Sequence, residues 1–207
     1  MWADLWGTTR KPAVTRGGAH KLGRPIGTWP TTRRQSIQFA AQASPASWSP
    51  YLGSDEPAQD RNNFFKTQII FWGLAAIDGH GKNFSIALLP GGRYRATPIY
   101  DVLSAHPVIL KGKNQIPSHK AKLAMAARGS TNYYLINQIL RRHWIAQAQQ
   151  VGLGAVTAEQ LIEEVVESAE SVIGQVSRLL PKDFPMNIAD AIFSGMRKQS
   201  EKLATAV

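Results

Sequence analysis

The sequence predicts a mainly helical domain with one small β-hairpin, spanning residues 51–207. Three observations lead to this prediction. Apolar residues recur at helical spacing in four separate stretches of the chain. Two short strand-like runs flank the turn "PGG" at residues 90–92. A hydrophobic content of 43% over 207 residues is enough for one sizeable core.

The first 50 residues are predicted to lie outside this domain. They contain five of the prolines and four of the six tryptophans, and they show no sustained helical or strand period. They also hold seven Lys or Arg residues against one acid, Asp4. Their composition allows a disordered basic segment, but disordered segments are usually poor in Trp. The alternative is a segment encoded in a reading frame that is not the ancestral one.

The first predicted helix begins near Pro57, which follows Asp55 and Glu56 and suits the first helical turn. The residues that recur at helical spacing are Phe64, Phe65, Gln68, Ile69, Trp72 and Ala76. We expect a helix of roughly five turns that runs into Asp78.

The runs "FSIALL" and "RYRATP" then form the hairpin, because Gly91 and Gly92 between them can adopt positive φ. Three further helices are predicted. The first covers about residues 132–150, the second begins at Thr157 and stops before Pro181, and the third covers about residues 187–203. Thr157 and Gln160 have the spacing of a capping box.

Composition narrows the functional classes. The chain has no Cys, which excludes disulfides and thiolate metal sites. No apolar run reaches the ~18 residues of a membrane span, and the N-terminus lacks a secretory signal pattern, so we expect a cytoplasmic protein. The net charge of +10 suggests a polyanionic partner, but most of the basic excess lies in residues 1–50.

The polar turn "DGHGKN", residues 78–83, has three chemical interpretations. A phosphate-binding loop is one, but Ala76 stands where that motif has its first Gly, and a helix precedes the turn where the motif needs a strand. A metal site formed by His80 and Asp78 is another, and it lacks a second His at ligand spacing. The third is the catalytic loop of a phosphotransferase.

The third interpretation rests on spacing. In protein kinases the catalytic-loop Asp accepts the proton of the substrate hydroxyl, and an Asn five residues later binds Mg²⁺. Asp78 and Asn83 have this spacing, and Asp101 in "IYDVLSA" follows the hairpin, where kinases place a second metal-binding Asp. The alternative is that Asp78 caps the helix while Asn83 only shapes the turn.

The block "FWGLAAIDGHGKNFSIALLPGGRYRATPIYDVLSAHPV", with the later "HKAKLAMA", resembles the HipA family of serine/threonine kinases, the toxins of bacterial toxin–antitoxin pairs. The resemblance covers about residues 52–198. It implies the C-terminal, large lobe of a kinase-like fold that uses ATP and Mg²⁺. By this resemblance Asp78 is the catalytic base, whereas Asn83 and Asp101 are the Mg²⁺ ligands. We expect these three residues to converge.

His80 and Lys82 also match the family block, and with Tyr100 they are assigned to the nucleotide site. Lys82 would contact a phosphate, although a solvated turn lysine is the alternative. Packing is the alternative for Tyr100. Lys122 in "KAKLAMA" is expected to be a surface residue.

The chain departs from the family pattern in length. HipA-like kinases are about twice as long and carry an N-terminal lobe with a glycine-containing phosphate loop and an ATP-anchoring Lys. We find neither here, which favours a truncated or frame-shifted gene whose product is inactive alone. The implied partners are a protein substrate and a HipB-like antitoxin, with DNA contacted only through that antitoxin. The rival functions are a non-catalytic remnant that binds another protein and a basic nucleic-acid-binding protein.

Overall fold

Four helices and two small antiparallel sheets form the part of the chain that this computed structural model describes, residues 34–36 and 48–205. The helices are α1 (Pro57–Gly73), α2 (Arg141–Gln150), α3 (Ala155–Leu179) and α4 (Met186–Ala204). The strands are β1 (Arg34–Ser36), β2 (Ser85–Leu88), β3 (Tyr94–Ala96), β4 (Lys122–Arg128) and β5 (Asn132–Leu135). The predicted class, mainly helical with a small hairpin, is confirmed.

Helix α1 is the centre of the domain. Its first turn contains Pro57, as predicted. Phe65, Thr67 and Trp72 on this helix are fully buried, and Ile69 is 1% exposed. Such a helix, covered nearly all round, holds the other elements in place by apolar burial.

The predicted end of α1 is wrong, because the helix stops at Gly73 instead of running into Asp78. Ala75 adopts a left-handed conformation with φ 50°. The N–H of Ala75 bonds to the Trp72 carbonyl, and the N–H of Ala76 bonds to the Phe71 carbonyl. This is a Schellman motif, which normally has Gly at the left-handed position. The sequence has Ala there and therefore carries no local stop signal.

The predicted hairpin is confirmed. Strands β2 and β3 pair antiparallel with Ile86 opposite Ala96, and the turn uses Gly91 and Gly92 at φ 78° and 75°. Asp60 on α1 accepts a hydrogen bond from the N–H of Ala96 at 2.9 Å. This bond attaches the hairpin to the start of the central helix.

The described residues that precede position 51 contact the domain. Strand β1 pairs antiparallel with β2, with Gln35 opposite Ile86. Trp48 is 3% exposed, and its ring meets Phe64 edge-to-face at 4.8 Å between centroids. The predicted boundary at residue 50 stays a prediction, and most of the segment 1–50 lies outside the described residues.

A second hairpin replaces the start of the predicted helix at 132–150. Residues 132–135 form β5, which pairs with β4, and α2 begins only at Arg141. The tyrosines at 133 and 134 are β-favouring residues, and here pairing with β4 overrides a weak helical period. Buried Gln147 on α2 bonds to both the Arg128 N–H of β4 and the Gln68 side chain of α1.

The last two helices agree better with the sequence. Helix α3 ends at Leu179, before Pro181 as predicted, but it begins at Ala155 and has no capping hydrogen bond from Thr157. Helix α4 matches its predicted range. A second apolar cluster of Ile173, Ala189, Phe193 and Met196 joins these two helices. Among the described residues, no helix combines the length and apolar character needed to span a bilayer.

Candidate functional site

The polar turn at residues 78–83 follows the Schellman end of α1. Gly79 is needed in this turn, since an added Cβ would lie 2.3 Å from the ring of Phe71. The backbone N–H of His80 donates to Asn83 Oδ1 at 2.9 Å, which closes a short 3₁₀ turn over Gly81–Asn83. The turn is thereby fixed by its own polar side chain, and Asn83 is buried to 2% exposure.

Of the three residues that we expect to converge, Asn83 and Asp101 lie next to each other. Asn83 Nδ2 lies 3.4 Å from Asp101 Oδ2 and also 3.4 Å from the Asp101 backbone oxygen. These distances are longer than the usual 2.7–3.2 Å of N–H···O bonds. The two side chains therefore face each other in a loose contact, with the Asn83 amide N–H directed at the Asp101 oxygens.

Asp101 has an uncommon backbone conformation with φ 58°. Left-handed non-glycine residues are rare, and a strained one costs about 1–3 kcal/mol, although Asp tolerates the region better than most. Its side chain is exposed on the site surface. The chain is anchored on both sides of Asp101, by the bond of the Tyr100 hydroxyl to the Lys82 carbonyl and by that of Ser104 Oγ to the Leu74 carbonyl.

Asp78 lies at the solvent-facing side of the turn. Its side chain is 79% exposed, and Oδ1 is 3.8 Å from Nε2 of His80. The Nδ1 atom of His80 is buried and has no hydrogen-bond partner among the described residues. The structure therefore brings Asn83 and Asp101 together and places the Asp78 carboxylate beside His80, with free access from solvent.

Tyr100 joins the turn to the hairpin. Its hydroxyl donates to the Lys82 carbonyl at 2.8 Å and pairs with Ser85 Oγ at 2.7 Å. The Lys82 side chain is exposed, and so is Lys122 on β4. The assignment of His80, Lys82 and Tyr100 to a nucleotide site stays a prediction.

The oxygen atoms at this site suit a hard divalent cation. Mg²⁺ is usually bound by one or two carboxylates, while phosphate and water oxygens complete its octahedron. The described residues contain no cluster of three or more His, Cys, Asp or Glu side chains that would bind a metal alone. Asp101 supplies a carboxylate, and Asn83 Oδ1 keeps a second lone pair beside the His80 bond. One carboxylate and one amide oxygen are ligand types that Mg²⁺ accepts in proteins.

Two residues near the site were missed by the sequence reasoning. Ser104 Oγ donates to the Leu74 carbonyl at 2.6 Å, and His106 Nε2 donates to the Gly73 carbonyl at 2.9 Å. Burial lowers the pKa of His106 below its usual value, because a buried site disfavours the charged imidazolium. A general rule could have identified them, because a buried helix end needs hydrogen-bond donors for its last carbonyls. Ser104 and His106, in the run "SAH" shortly after Asp101, are such donors.

Comparisons with known proteins agree with this architecture. A model of the HipA-like C-terminal domain matches residues 36–173. The structure is similar to a chain from the Shewanella oneidensis MR-1 complex of the toxin–antitoxin system HipA, HipB and operator DNA, with a TM-score of 0.63 and 17% sequence identity. The match covers 79% of this chain and 38% of that chain, so the protein spans less than half of the length of its structural match. Because the family model accounts for well over half of the 207 residues, this chain belongs to the HipA-like C-terminal domain family.

Proposed function

We propose that this chain is the large lobe of a HipA-type serine/threonine protein kinase, which transfers the γ-phosphoryl group of Mg·ATP to a protein hydroxyl. The observation that supports the proposal best is the contact between Asn83 and Asp101, 3.4 Å apart, next to the turn of Asp78. A kinase needs a proton acceptor and metal-binding oxygens at one cleft, and these three residues are the matching types.

Each residue has a defined task in this proposal. The Asp78 carboxylate accepts the proton of the substrate hydroxyl as its oxygen forms the bond to phosphorus, and the 79% exposure of the Asp78 side chain leaves it accessible to a protein substrate. Asp101 and Asn83 would hold Mg²⁺ next to the turn, where its charge would neutralise negative charge on the phosphates. Lys82 is exposed beside them and supplies a further positive charge.

A second lobe is part of the proposal. Alignment and charge neutralisation act only on a triphosphate that is already held in place. The chain corresponds to 38% of its structural match, and we propose that the groups which hold the nucleotide come from a separate N-terminal lobe. The 207-residue chain alone should then bind nucleotide weakly and show no autophosphorylation. Its use of ATP would place the reaction in the cytoplasm.

The proposed partner is a HipB-like antitoxin. The structural match comes from a complex that contains HipA, HipB and operator DNA. By analogy with that complex, this chain would contact DNA only through the antitoxin. Retention of the antitoxin by the tagged chain without any ATPase signal would favour a non-catalytic binding role instead.

Metal binding tests the site directly. Mn²⁺ replaces Mg²⁺ and broadens NMR signals of nearby amides, so titration with Mn²⁺ and ADP should first broaden Asn83 and Asp101. Asp101→Asn keeps the side-chain shape and tolerance of positive φ but removes the charge, and it should abolish the selective broadening. Asp190→Asn, at an exposed acid on α4, is the matched control. Broadening that Asp101→Asn does not change would contradict the metal assignment.

The catalytic role needs the complete enzyme. Co-expression with the N-terminal lobe of a related kinase should restore phosphoryl transfer, and Asp78→Asn should then reduce the rate by about 10²-fold or more. Restored activity that Asp78→Asn leaves unchanged would show that another residue is the base.

A further inference from the structure

The end of α1 is joined to the loop that follows Asp101 by three consecutive hydrogen bonds. His106 Nε2 donates to the Gly73 carbonyl at 2.9 Å, Ser104 Oγ donates to the Leu74 carbonyl at 2.6 Å, and the Ala105 N–H donates to the Ala75 carbonyl at 3.1 Å. We call residues 73–75 and 104–106 the carbonyl junction.

The junction satisfies groups that the helix itself leaves unpaired. The Schellman motif uses the carbonyls of Phe71 and Trp72. The next two carbonyls, of Gly73 and Leu74, have no helical partner, whereas the Ala75 carbonyl also accepts the N–H of Ile77 at 2.9 Å. Ala75 and Ala105 are buried, at 0% and 6% exposure, so solvent has little access to this contact. The loop therefore supplies the donors that a buried helix end requires.

Helix α4 contacts the junction from its other side. A Cβ added at Gly195 would lie 2.3 Å from Nδ1 of His106 and 2.4 Å from two further ring atoms. Any residue larger than Gly would displace the ring. Gly within a helix is less favourable than Ala, and here the close approach of the imidazole gives it a structural reason.

We propose that His106, packed on Gly195, is a positioning residue that holds Asp101 at the candidate metal site. Asp101 lies three residues before Ser104, and Asp78 lies three residues after Ala75. Three residues span at most roughly 10 Å, so both halves of the site leave the junction on short tethers. The hairpin β2–β3 joins the same two halves from the opposite side.

This proposal rests on the proposed function only where it calls the site a metal site. The geometry of the Asp101 loop can be measured whether or not a metal binds there. Gly195 on α4 is 94 residues from Asp101 in sequence, and it meets the loop that follows Asp101 through the ring of His106. A ring that moves off Gly195 releases the Gly73 carbonyl and loosens the loop, while the hairpin stays paired.

Gly195→Ala in the full chain is the test, and Gly174→Ala in α3 is its matched control. At Gly174 an added Cβ meets nothing within 4 Å, so this variant carries the same change inside a helix without a clash. We expect Gly195→Ala to shift the amide signals of residues 101–106 and to raise the Mn²⁺ dissociation constant roughly tenfold or more. Gly174→Ala should leave both at wild-type values.

A double variant assigns the effect to the ring. His106→Ala alone should shift the same amides and weaken Mn²⁺ binding. Because the clash needs the imidazole, adding Gly195→Ala to His106→Ala should cause little further change. If Gly195→Ala does not fold alone, the double variant should recover the folded state.

The outcomes separate this proposal from the proposed function. A wild-type chain that binds no Mn²⁺ would count against the metal site, and the amide shifts would still decide the positioning role. Unchanged signals at residues 101–106 in Gly195→Ala would overturn the proposal. So would a Gly195→Ala effect of the same size in the His106→Ala background.

Discussion

Replacing Trp48 by Ala tests whether the chain before residue 51 contributes to the domain core. The indole is 3% exposed and lies 4.8 Å from the ring of Phe64 in an edge-to-face arrangement. It is also 6.3 Å from the ring of Phe65, between ring centroids. Removing it would open a cavity against the central helix.

The expected loss of stability combines two opposed effects. Truncation of a buried Trp or Phe to Ala costs about 3–5 kcal/mol through lost burial and the cavity. The Nε1–H of Trp48 is buried and has no partner among the described residues. Removing such an unpaired donor recovers about 1–3 kcal/mol. With the middle of each range, the net decrease in the free energy of unfolding is about 2 kcal/mol.

Urea unfolding followed by circular dichroism at 222 nm measures this change. Trp48→Phe keeps an aromatic ring and removes the unpaired N–H, so it should lose clearly less than the alanine variant. Leu52→Ala, at a side chain that is 62% exposed, is the local control and should stay within about 0.5 kcal/mol of wild type. A Trp48→Ala variant within that same range, with an unchanged urea slope, would refute the packing of this segment on the domain.

Two further predictions concern buried titratable groups. Burial raises the pKa of Asp60 above its usual value. The protonated carboxyl therefore stabilises the fold at pH values below the unfolded-state pKa, and this stabilisation is lost as pH rises through the folded-state pKa. At pH 7, Asp60→Asn should therefore match or exceed wild-type stability, whereas Asp60→Ala should lose about 1–3 kcal/mol by leaving the Ala96 N–H without an acceptor. Equal urea midpoints for the two variants would contradict this. Burial lowers the pKa of His106 and of His143, so their contribution to stability is complete above about pH 6.5 and is lost as pH falls through the folded values. The urea midpoint of the wild type should fall between pH 7 and pH 5, and that of His143→Gln should fall less. An equal change of the midpoint with pH in the two proteins would refute the contribution of His143.

Local sequence rules predicted the elements whose causes are local. Pro57 at the start of α1, the glycines of the β2–β3 turn and Pro181 after α3 each act through backbone geometry that depends on a few neighbouring residues. The resemblance of the block at residues 78–101 to the HipA family predicted that Asp78, Asn83 and Asp101 converge, and the structure places Asn83 Nδ2 3.4 Å from Asp101 Oδ2. The β2–β3 hairpin that connects Asn83 to Asp101 was also predicted from the sequence, and it limits the distance between these two residues.

Only the tertiary structure decided the features that depend on distant partners. Helix α1 ends at Gly73 with Ala75 in a left-handed conformation, and the carbonyls exposed by that ending are paired by residues 104–106. Residues 132–135 form a strand because β4 lies beside them. Gly195 looks like an unfavourable helix residue until the ring of His106 is placed against it. In each case the free energy comes from a contact between segments far apart in sequence, and a local pattern carries no information about which segments will meet.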